Sequence, residues 1–273
     1  MLGTVIAVTV IAAVGGTGLG GLLGVVLKRE SEKIVSLLLS FAAGVMIAIC
    51  FFDLLPEAMD GASVRVVVAG ALAGYLVVQG LNYLIDRHAN PEVPHIDKAH
   101  PKTADDLGEL IHANHLEVHK QQGSRRELFV AGIVMACAIA LHNIPEGMVI
   151  GASYAAGGTA ASSLAMATVI GLHNVPEGMA VSVPLVSGGM SRSSAVLLTA
   201  LTGAPTVIGA VAGYYLGTMS PVMLALALSF AGGAMLNVSF SELLPESILM
   251  WRSKLPAFAV MVGIFVGMAI VFA

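Results

Sequence analysis

The sequence predicts an all-α integral membrane protein of eight transmembrane helices, arranged as an inverted 3+2+3 repeat with both termini extracytoplasmic. Its 273 residues are 57% hydrophobic and only 11% charged, with a mean hydropathy of +0.89. No water-soluble core can bury so much apolar surface, so the lipid bilayer must cover it. The distribution of basic residues predicts the orientation, and two pairs of repeated motifs predict the symmetry.

Eight apolar stretches are long enough to cross a hydrocarbon layer of about 30 Å. They cover 3–27, 34–56, 64–86, 128–152, 160–186, 194–217, 221–246 and 255–273. The first has no basic segment before it and is too long for an ordinary signal peptide, so we predict a retained helix. We therefore predict one transmembrane domain over 1–273. Cys50 and Cys137 both fall inside apolar stretches and are expected to be small buried hydrophobic residues.

Basic residues predict the orientation of these helices. Of the thirteen Lys and Arg residues, all but Arg65 lie in the first, third, fifth and seventh connections. Lys and Arg near the ends of membrane spans favour the cytoplasmic side. The odd-numbered connections are therefore predicted to be cytoplasmic in a multi-pass protein of the cell membrane.

The second and seventh stretches share a long motif. Residues 40–46 and 51–57 (SFAAGVM and FFDLLPE) correspond to 229–235 and 240–246 (SFAGGAM and FSELLPE) at a constant offset of 189. Because five crossings take the chain from the outward-running second stretch to the seventh, the two run in opposite directions. We predict that stretches one to three are related to six to eight by a pseudo-two-fold axis in the membrane plane, a symmetry found in transporters that bind substrate at the repeat interface.

Each of these two stretches carries a stripe of polar or sulfur side chains at helical spacing. Under the predicted orientation, Asp53 and Glu57 lie near the outer mouth, and Glu242 and Glu246 lie near the cytoplasmic one. We predict that these carboxylates mark the two ends of a path through the membrane. For Glu57 and Glu246, the alternative is a solvated position at the membrane interface.

The fourth and fifth stretches contain nearly identical hexapeptides, HNIPEG at 142–147 and HNVPEG at 173–178. A charge inside the membrane costs about 2.5 kcal/mol or more, so each acid needs a compensating partner. In a helix, the His and Glu of each copy lie four residues apart on one face, flanked by the Asn. Imidazole nitrogen, amide oxygen and carboxylate together suit a divalent transition metal. The candidate ligands are His142, Asn143, Glu146, His173, Asn174 and Glu177.

Prolines accompany all four acidic motifs, at Pro56, Pro145, Pro176 and Pro245. Each removes a helical hydrogen bond and frees a carbonyl, which is tolerated in a membrane only beside protein, water or an ion. A single Pro-Glu pair could simply kink a helix whose acid bonds a neighbour. That alternative does not explain a duplicated motif that also repeats His and Asn.

The third connection, 87–126, holds six of the eight histidines and is predicted to be a cytoplasmic loop. If its 112–119 segment is helical, His112, His115 and His119 align at three- and four-residue spacing. We predict a metal-sensing or metal-buffering site there. The alternative is a polar linker with incidental affinity for metal.

On these motifs the whole chain resembles the ZIP family of divalent metal transporters, whose fourth and fifth helices carry similar His-Asn-x-Pro-Glu-Gly segments. The resemblance implies import of zinc or a similar ion into the cytoplasm. It places His142, Glu146, His173, Asn174 and Glu177 in a central site, with Met46 as a soft ligand from the second helix. For Met46 the alternative is core packing.

The chain departs from the family pattern in its sixth helix. Many members have a glutamate within a Ser-Gly-x-x-Glu-Pro-x-Gly-like segment, and Thr206 stands at that position here. The resemblance implies that Asn143 and Asn174 face a second metal in members that hold two. Without the sixth-helix carboxylate, we expect a single tight site, or a weaker neighbouring one.

The predicted function is therefore transport of Zn²⁺, with Fe²⁺, Mn²⁺, Co²⁺ or Cd²⁺ as other cargo. The metal is the substrate, and we expect no organic cofactor, no nucleic acid and no enzymatic activity. The expected partners are the ion and the lipid bilayer, with a homodimer left open. An exporter would share every ligand. An intramembrane metalloenzyme is disfavoured because no His-Glu-x-x-His helix is present.

Overall fold

A computed structural model describes residues 1–26, 32–89, 125–156, 160–251 and 253–272. All regular structure in these ranges is helical, which confirms the all-α class. The predicted connection 87–126 lies almost entirely outside the described residues, as do His112, His115 and His119.

Within these ranges eight helices follow one another, and their ends fall within five residues of the predicted stretches. Seven are long and apolar enough to cross a membrane, and the last is a shorter apolar helix of 17 residues. That length is at the lower limit for a crossing. The helices are α1 (Leu2–Val26), α2 (32–61), α3 (Val64–Ala89), α4 (Arg125–Ala155), α5 (Ala160–Ser187), α6 (Arg192–Met219), α7 (221–250) and α8 (Leu255–Val271).

Serine caps explain where two of the helices begin. The Ser191 hydroxyl accepts a hydrogen bond from the Ser194 backbone N–H at the start of α6. The Ser220 hydroxyl does the same for Met223, and Pro221 occupies the first turn of α7, where its missing N–H costs nothing. These caps turn the chain sharply between consecutive membrane helices.

The prolines act on their helices in two ways. A five-residue π-helical segment precedes Pro56 in α2, at Cys50–Leu54, and another precedes Pro245 in α7, at Ser239–Leu243. The wider turn accommodates the proline, and both segments carry acids, as π segments at functional sites often do. By contrast, Pro145 and Pro176 lie inside uninterrupted α-helices.

Helix packing places α4 and α5 side by side at the centre of the protein. α4 also packs against α6, and α5 against α1; α2 packs against α8, and α3 against α7. Large side chains buried at these contacts include Leu39, Met46, Ile150, Ile170 and Met235. The two hexapeptides therefore lie where most of the helices converge.

Glycines permit the closest of these approaches. A Cβ atom at Gly147 of α4 would lie 1.8 Å from the carbonyl oxygen of Thr206 on α6. A Cβ at Gly178 of α5 would lie 2.2 Å from the carbonyl oxygen of Thr17 on α1. Because no side chain fits at either position, the backbone at the last residue of each hexapeptide is in direct contact with a neighbouring helix.

The two cysteines differ in their exposure. Cys50 is buried, as predicted, and its thiol lies 3.5 Å from the carbonyl oxygen of Gly232. The prediction for Cys137 was wrong, because this residue is exposed on the surface of α4. Hydropathy places a residue in a membrane helix but does not reveal whether it faces lipid or protein.

Candidate metal centre

Three side chains from α4 and α5 converge in the buried centre of the protein. Glu146, His173 and Glu177 each present a potential ligand atom, and these atoms all lie within 4.8 Å of one another. The Nε2 atom of His173 is 3.1 Å from Oε1 of Glu146. We call these three residues the central triad. A nitrogen and two carboxylates are a suitable donor set for zinc.

The carboxylates of the central triad are almost completely shielded from solvent. Glu146 and Glu177 are each 1% exposed, and His173 is 4% exposed. Neither carboxylate oxygen of Glu177 has a hydrogen-bond partner among the described residues. A buried, unpaired carboxylate costs several kcal/mol or more, and a bound cation would offset that cost.

The two asparagines of the hexapeptides have separate roles. With its amide nitrogen turned toward α4, Asn174 places this atom 3.1 Å from Oε2 of Glu146 and 3.2 Å from Nε2 of His173. Asn143 instead donates from Nδ2 to the carbonyl oxygen of Thr202 on α6, at 2.8 Å, and its Oδ1 has no partner in the part of the chain that the structure describes. Asn174 therefore borders the central triad, while Asn143 faces α6.

His142 belongs to a different cluster. Its Nε2 atom lies 2.9 Å from Oε1 of Glu242 on α7 and 3.1 Å from Oδ1 of Asn82 on α3. The Nδ2 atom of Asn82 also donates to Oε1 of Glu242 at 2.5 Å. The structure thus joins His142 to one of the predicted pathway acids rather than to the other hexapeptide.

The remaining predicted residues lie around these two clusters. Met46 is buried, and its sulfur is 4.0 Å from the Ser239 hydroxyl, which donates to it. Asp53 and Glu57 are partly exposed near the end of α2, and Glu246 is partly exposed near the end of α7. Thr206 is buried in the middle of α6, in the first turn of the helical segment Pro205–Met219 that follows a break at 203–204, and its hydroxyl has no hydrogen-bond partner within the described ranges.

Sequence reasoning missed Asn82. One signal was available, because Gln79 and Asn82 are amides three residues apart inside an otherwise apolar stretch. The structure bonds both to α7, since the Nδ2 atom of Asn237 donates to Oε1 of Gln79 at 2.9 Å. Polar side chains within membrane helices commonly mark such interhelical contacts.

Comparisons with known proteins identify relatives of this chain. The family model described as "ZIP Zinc transporter" matches residues 2–273. A protein named zinc transporter ZupT from Chlorobium chlorochromatii is 31% identical over 241 residues, covering 85% of this chain and 83% of that protein. Proteins of the same name from Enterobacter sp. (strain 638) and Clostridium perfringens are 31% and 28% identical, each covering 92% of this chain and 89% of the relative. The chain therefore belongs to the ZIP zinc transporter family.

Proposed function

We propose that this protein carries Zn²⁺ across the cell membrane into the cytoplasm through a central site on α4 and α5. The relatives are named as zinc transporters, and the ZIP family is a family of transporters rather than enzymes. Fe²⁺, Mn²⁺, Co²⁺ and Cd²⁺ are further proposed cargo, because mixed nitrogen and oxygen donors accept several borderline ions. No organic cofactor is needed for this activity.

The observation that carries the proposal is the central triad. Glu146 and Glu177 supply two negative charges at 1% exposure, which balances one divalent cation. His173 adds a nitrogen ligand within the same 4.8 Å cluster. A buried set with this charge is unfavourable when empty and favourable when it holds an ion, which is the condition for a selective binding site in a membrane.

Other predicted ligands are proposed to act around the central triad. Asn174 borders Glu146 and His173, so its amide is placed to orient them or to contribute its oxygen after rotation. Met46 and His142 are proposed to reach the ion as it enters or leaves. Asn143 bonds the carbonyl of Thr202 on α6, four residues before Thr206, and the neutral Thr206 side chain is proposed to disfavour a second tight site in this region.

The path is proposed to run between carboxylates at the two ends of the repeat. Asp53 and Glu57 would receive ions at the outer mouth, and Glu242 and Glu246 would release them to the cytoplasm. The orientation rests on the basic residues of the odd-numbered connections. The same orientation places the histidines of the 87–126 connection on the cytoplasmic side, where imported ions arrive. We propose that these histidines form a regulatory metal site.

Close helix contacts support the proposed inverted 3+2+3 repeat. Gly44 of α2 approaches the carbonyl of Val260 on α8, and Gly233 of α7 approaches the carbonyl of Ala71 on α3. Gly233 lies 189 residues after Gly44, and Val260 lies 189 residues after Ala71, so the same offset relates the two contacts. The same offset relates Thr17 to Thr206, the partners of Gly178 and Gly147, and it also relates the two π segments of α2 and α7. The proposed symmetry would relate contacts made by each of the eight described helices.

Purified protein in proteoliposomes provides the test. Saturable Zn²⁺ uptake, measured with a trapped fluorescent indicator, should be inhibited by equimolar Cd²⁺ but not by Mg²⁺ or Ca²⁺, which prefer all-oxygen ligands. Protein-free vesicles are the control. Absence of saturable uptake, or efficient competition by Ca²⁺, would contradict the proposal. In intact cells, net zinc loss on expression would instead favour an exporter.

A further inference from the structure

An open groove separates the end of α1 from the start of α6. It has a volume of about 570 Å³ and is lined by Leu22, Val25 and Val26 of α1 and by Arg192, Ser193, Val196, Leu197 and Ala200 of α6. The two polar residues of this set are neighbours in the first turn of α6, and the others are apolar. None of the eight belongs to the central triad. We call this feature the α1–α6 groove.

A close contact between the two helices ends where the groove begins. A Cβ atom at Gly21 of α1 would lie 3.0 Å from the Cβ of Thr199 on α6, so the helices are in direct contact at that level. Beyond this contact, Leu22 of α1 and Leu197 of α6 are 49% and 61% exposed. The groove is therefore closed at the glycine and open toward the start of α6.

The groove has the depth and position of a lipid chain. Its α6 wall runs from Arg192 to Ala200, which is eight residue steps or about 12 Å along the helix. One leaflet contributes half of a hydrocarbon layer that is about 30 Å thick, so the groove spans most of that depth. Under the proposed orientation, Arg192 lies at the cytoplasmic surface. The apolar walls then extend from the headgroup region into the hydrocarbon layer.

The charge at the mouth of the groove is unpaired. Among the described residues that line the groove, Arg192 alone is charged. Its side chain is exposed and forms no ion pair with any residue of the described ranges. A guanidinium is always charged and presents several N–H donors in a geometry that suits phosphate oxygens, and Ser193 adds a hydroxyl. Anionic lipids of the cytoplasmic leaflet attract basic residues of this kind.

We propose that the α1–α6 groove is a binding site for an anionic phospholipid of the cytoplasmic leaflet. Arg192 and Ser193 bind phosphate oxygens of the headgroup, and one acyl chain lies along Leu22, Val196 and Leu197. The lipid fills the gap between α1 and α6 and thereby stabilises the packing of these helices. The inference uses the proposed orientation, but it does not depend on zinc transport.

Two comparisons within the molecule support a selective site. At the 189-residue offset of the repeat, Arg192 corresponds to Gly3 and Ser193 to Thr4, so the related position at the outer surface carries no charge. A second groove, of about 370 Å³, is lined by residues of α2, α3 and α7, none of them charged. That groove should accept acyl chains without preference for a headgroup. The α1–α6 groove should distinguish an anionic headgroup from a neutral one.

The chain offers matched controls for both parts of the site. Lys254, at the start of α8, is exposed in a predicted cytoplasmic connection and does not line the groove. Arg192→Gln and Lys254→Gln therefore each remove one positive charge from the same predicted membrane surface. Leu197 and Ile208 of α6 are 61% and 66% exposed, and only Leu197 lines the groove. Leu197→Trp fills the groove, whereas Ile208→Trp makes a similar change elsewhere on the helix.

The experiment titrates purified full-length protein, in detergent without zinc, with phosphatidylglycerol or with phosphatidylcholine of the same acyl chains. Native mass spectrometry measures the bound lipid, and thermal unfolding measures the stabilisation. Arg192→Gln should lower the affinity for phosphatidylglycerol about fivefold, the effect of one basic residue near a membrane surface, and should change phosphatidylcholine binding less. Leu197→Trp should weaken the binding of both lipids. Lys254→Gln and Ile208→Trp should resemble the natural sequence.

Thermal unfolding provides an independent measurement, because a lipid that binds the folded protein raises its unfolding temperature. Phosphatidylglycerol should raise this temperature for the natural sequence and Lys254→Gln by more than for Arg192→Gln. Lys28 and Arg29 are present in every variant, so differences between variants isolate the groove.

Two results would overturn the inference. One is an equal loss of phosphatidylglycerol affinity in Arg192→Gln and Lys254→Gln, which would show only a general attraction between a basic surface and anionic lipid. The other is equal lipid binding by Leu197→Trp and Ile208→Trp, which would show that the groove holds no acyl chain. Because zinc is absent from every sample, neither result bears on the proposed transport function.

Discussion

At the scale of single residues, Glu177 is the acid whose buried charge a bound ion would stabilise most. Both its oxygens are buried without a hydrogen-bond partner in the described part of the chain. Glu177→Gln keeps the shape but removes the charge, so we expect saturable zinc uptake to be lost and zinc affinity to fall by more than about hundredfold. Loss of a residue that only supports a metal ligand costs about 10- to 100-fold in affinity, so a larger loss indicates a direct ligand. Uptake in proteoliposomes and equilibrium dialysis measure the two effects.

The control for Glu177→Gln is Thr168→Val on the exposed face of the same helix, where the hydroxyl bonds only its own helix, at Leu164. This variant should bind and transport zinc normally. The assignment of Glu177 to the site would fail if the glutamine variant, correctly inserted in the membrane, matched this control.

Thr206 is predicted to limit the site to one tightly bound ion. Its hydroxyl is buried, and a neutral oxygen is a poor zinc ligand, so metal analysis should find one tightly bound ion in the membrane region. Thr206→Glu introduces a buried charge that a cation would offset, and should bind a second ion or hold the first more tightly and release it more slowly. Zinc counting after dialysis of protein lacking the histidine-bearing connection provides the measurement, because that connection could bind metal itself, and Thr206→Gln is the uncharged control. Two ions of comparable affinity in the loop-deleted protein with Thr206 intact would contradict a single tight site.

Sequence reasoning identified most candidate ligands because the hexapeptides repeat. The repeat did not point to Asn82, because its position in the other half, at an offset of 189, is Val271. Sequence reasoning also grouped His142 with the other hexapeptide residues, whereas the structure pairs it with Glu242. That pairing depends on how α3, α4 and α7 pack, and spacing within one helix carries no information about it.

At the scale of helices, contacts between bare backbones stabilise the fold. A Cβ at Gly209 of α6 would lie 1.9 Å from the carbonyl oxygen of Ile144 on α4, whereas a Cβ at Gly80 of α3 would meet nothing within 4 Å. Gly209→Ala should destabilise the protein by about 1–3 kcal/mol or more through overpacking. Gly80→Ala, the same chemical change, should be neutral or stabilising by about 0.5–1 kcal/mol. Thermal unfolding in detergent measures both, and equal stabilities would contradict the packing of α4 on α6.

Helix positions were predictable and their internal geometry was not. Hydropathy located all eight helices because the bilayer imposes a minimum apolar length. The prolines predicted disturbed hydrogen bonding, but not that α2 and α7 form π segments while α4 and α5 continue as α-helices. That difference depends on which neighbours satisfy the freed carbonyls, a property of the assembled bundle.

At the scale of the whole molecule, the histidine-bearing connection is predicted to regulate transport rather than to form the path. Replacing His112, His115 and His119 together by alanine should preserve zinc uptake at low internal zinc and change how uptake slows as internal zinc accumulates. Vesicles preloaded with graded zinc concentrations provide the measurement. Replacement of His95 and His100, in the same connection, is the control. Complete loss of uptake would show that these residues belong to the path.

The different exposure of the two cysteines provides a native site for a spectroscopic label. Cys50 is buried and Cys137 is exposed on a membrane helix, so in detergent a thiol-reactive label that partitions into apolar surroundings should modify Cys137 without any engineered cysteine. Cys137 lies on α4, five residues before His142, on the helix that also carries Glu146. Label mobility or accessibility at this site can therefore report, in real time, whether α4 shifts when zinc binds.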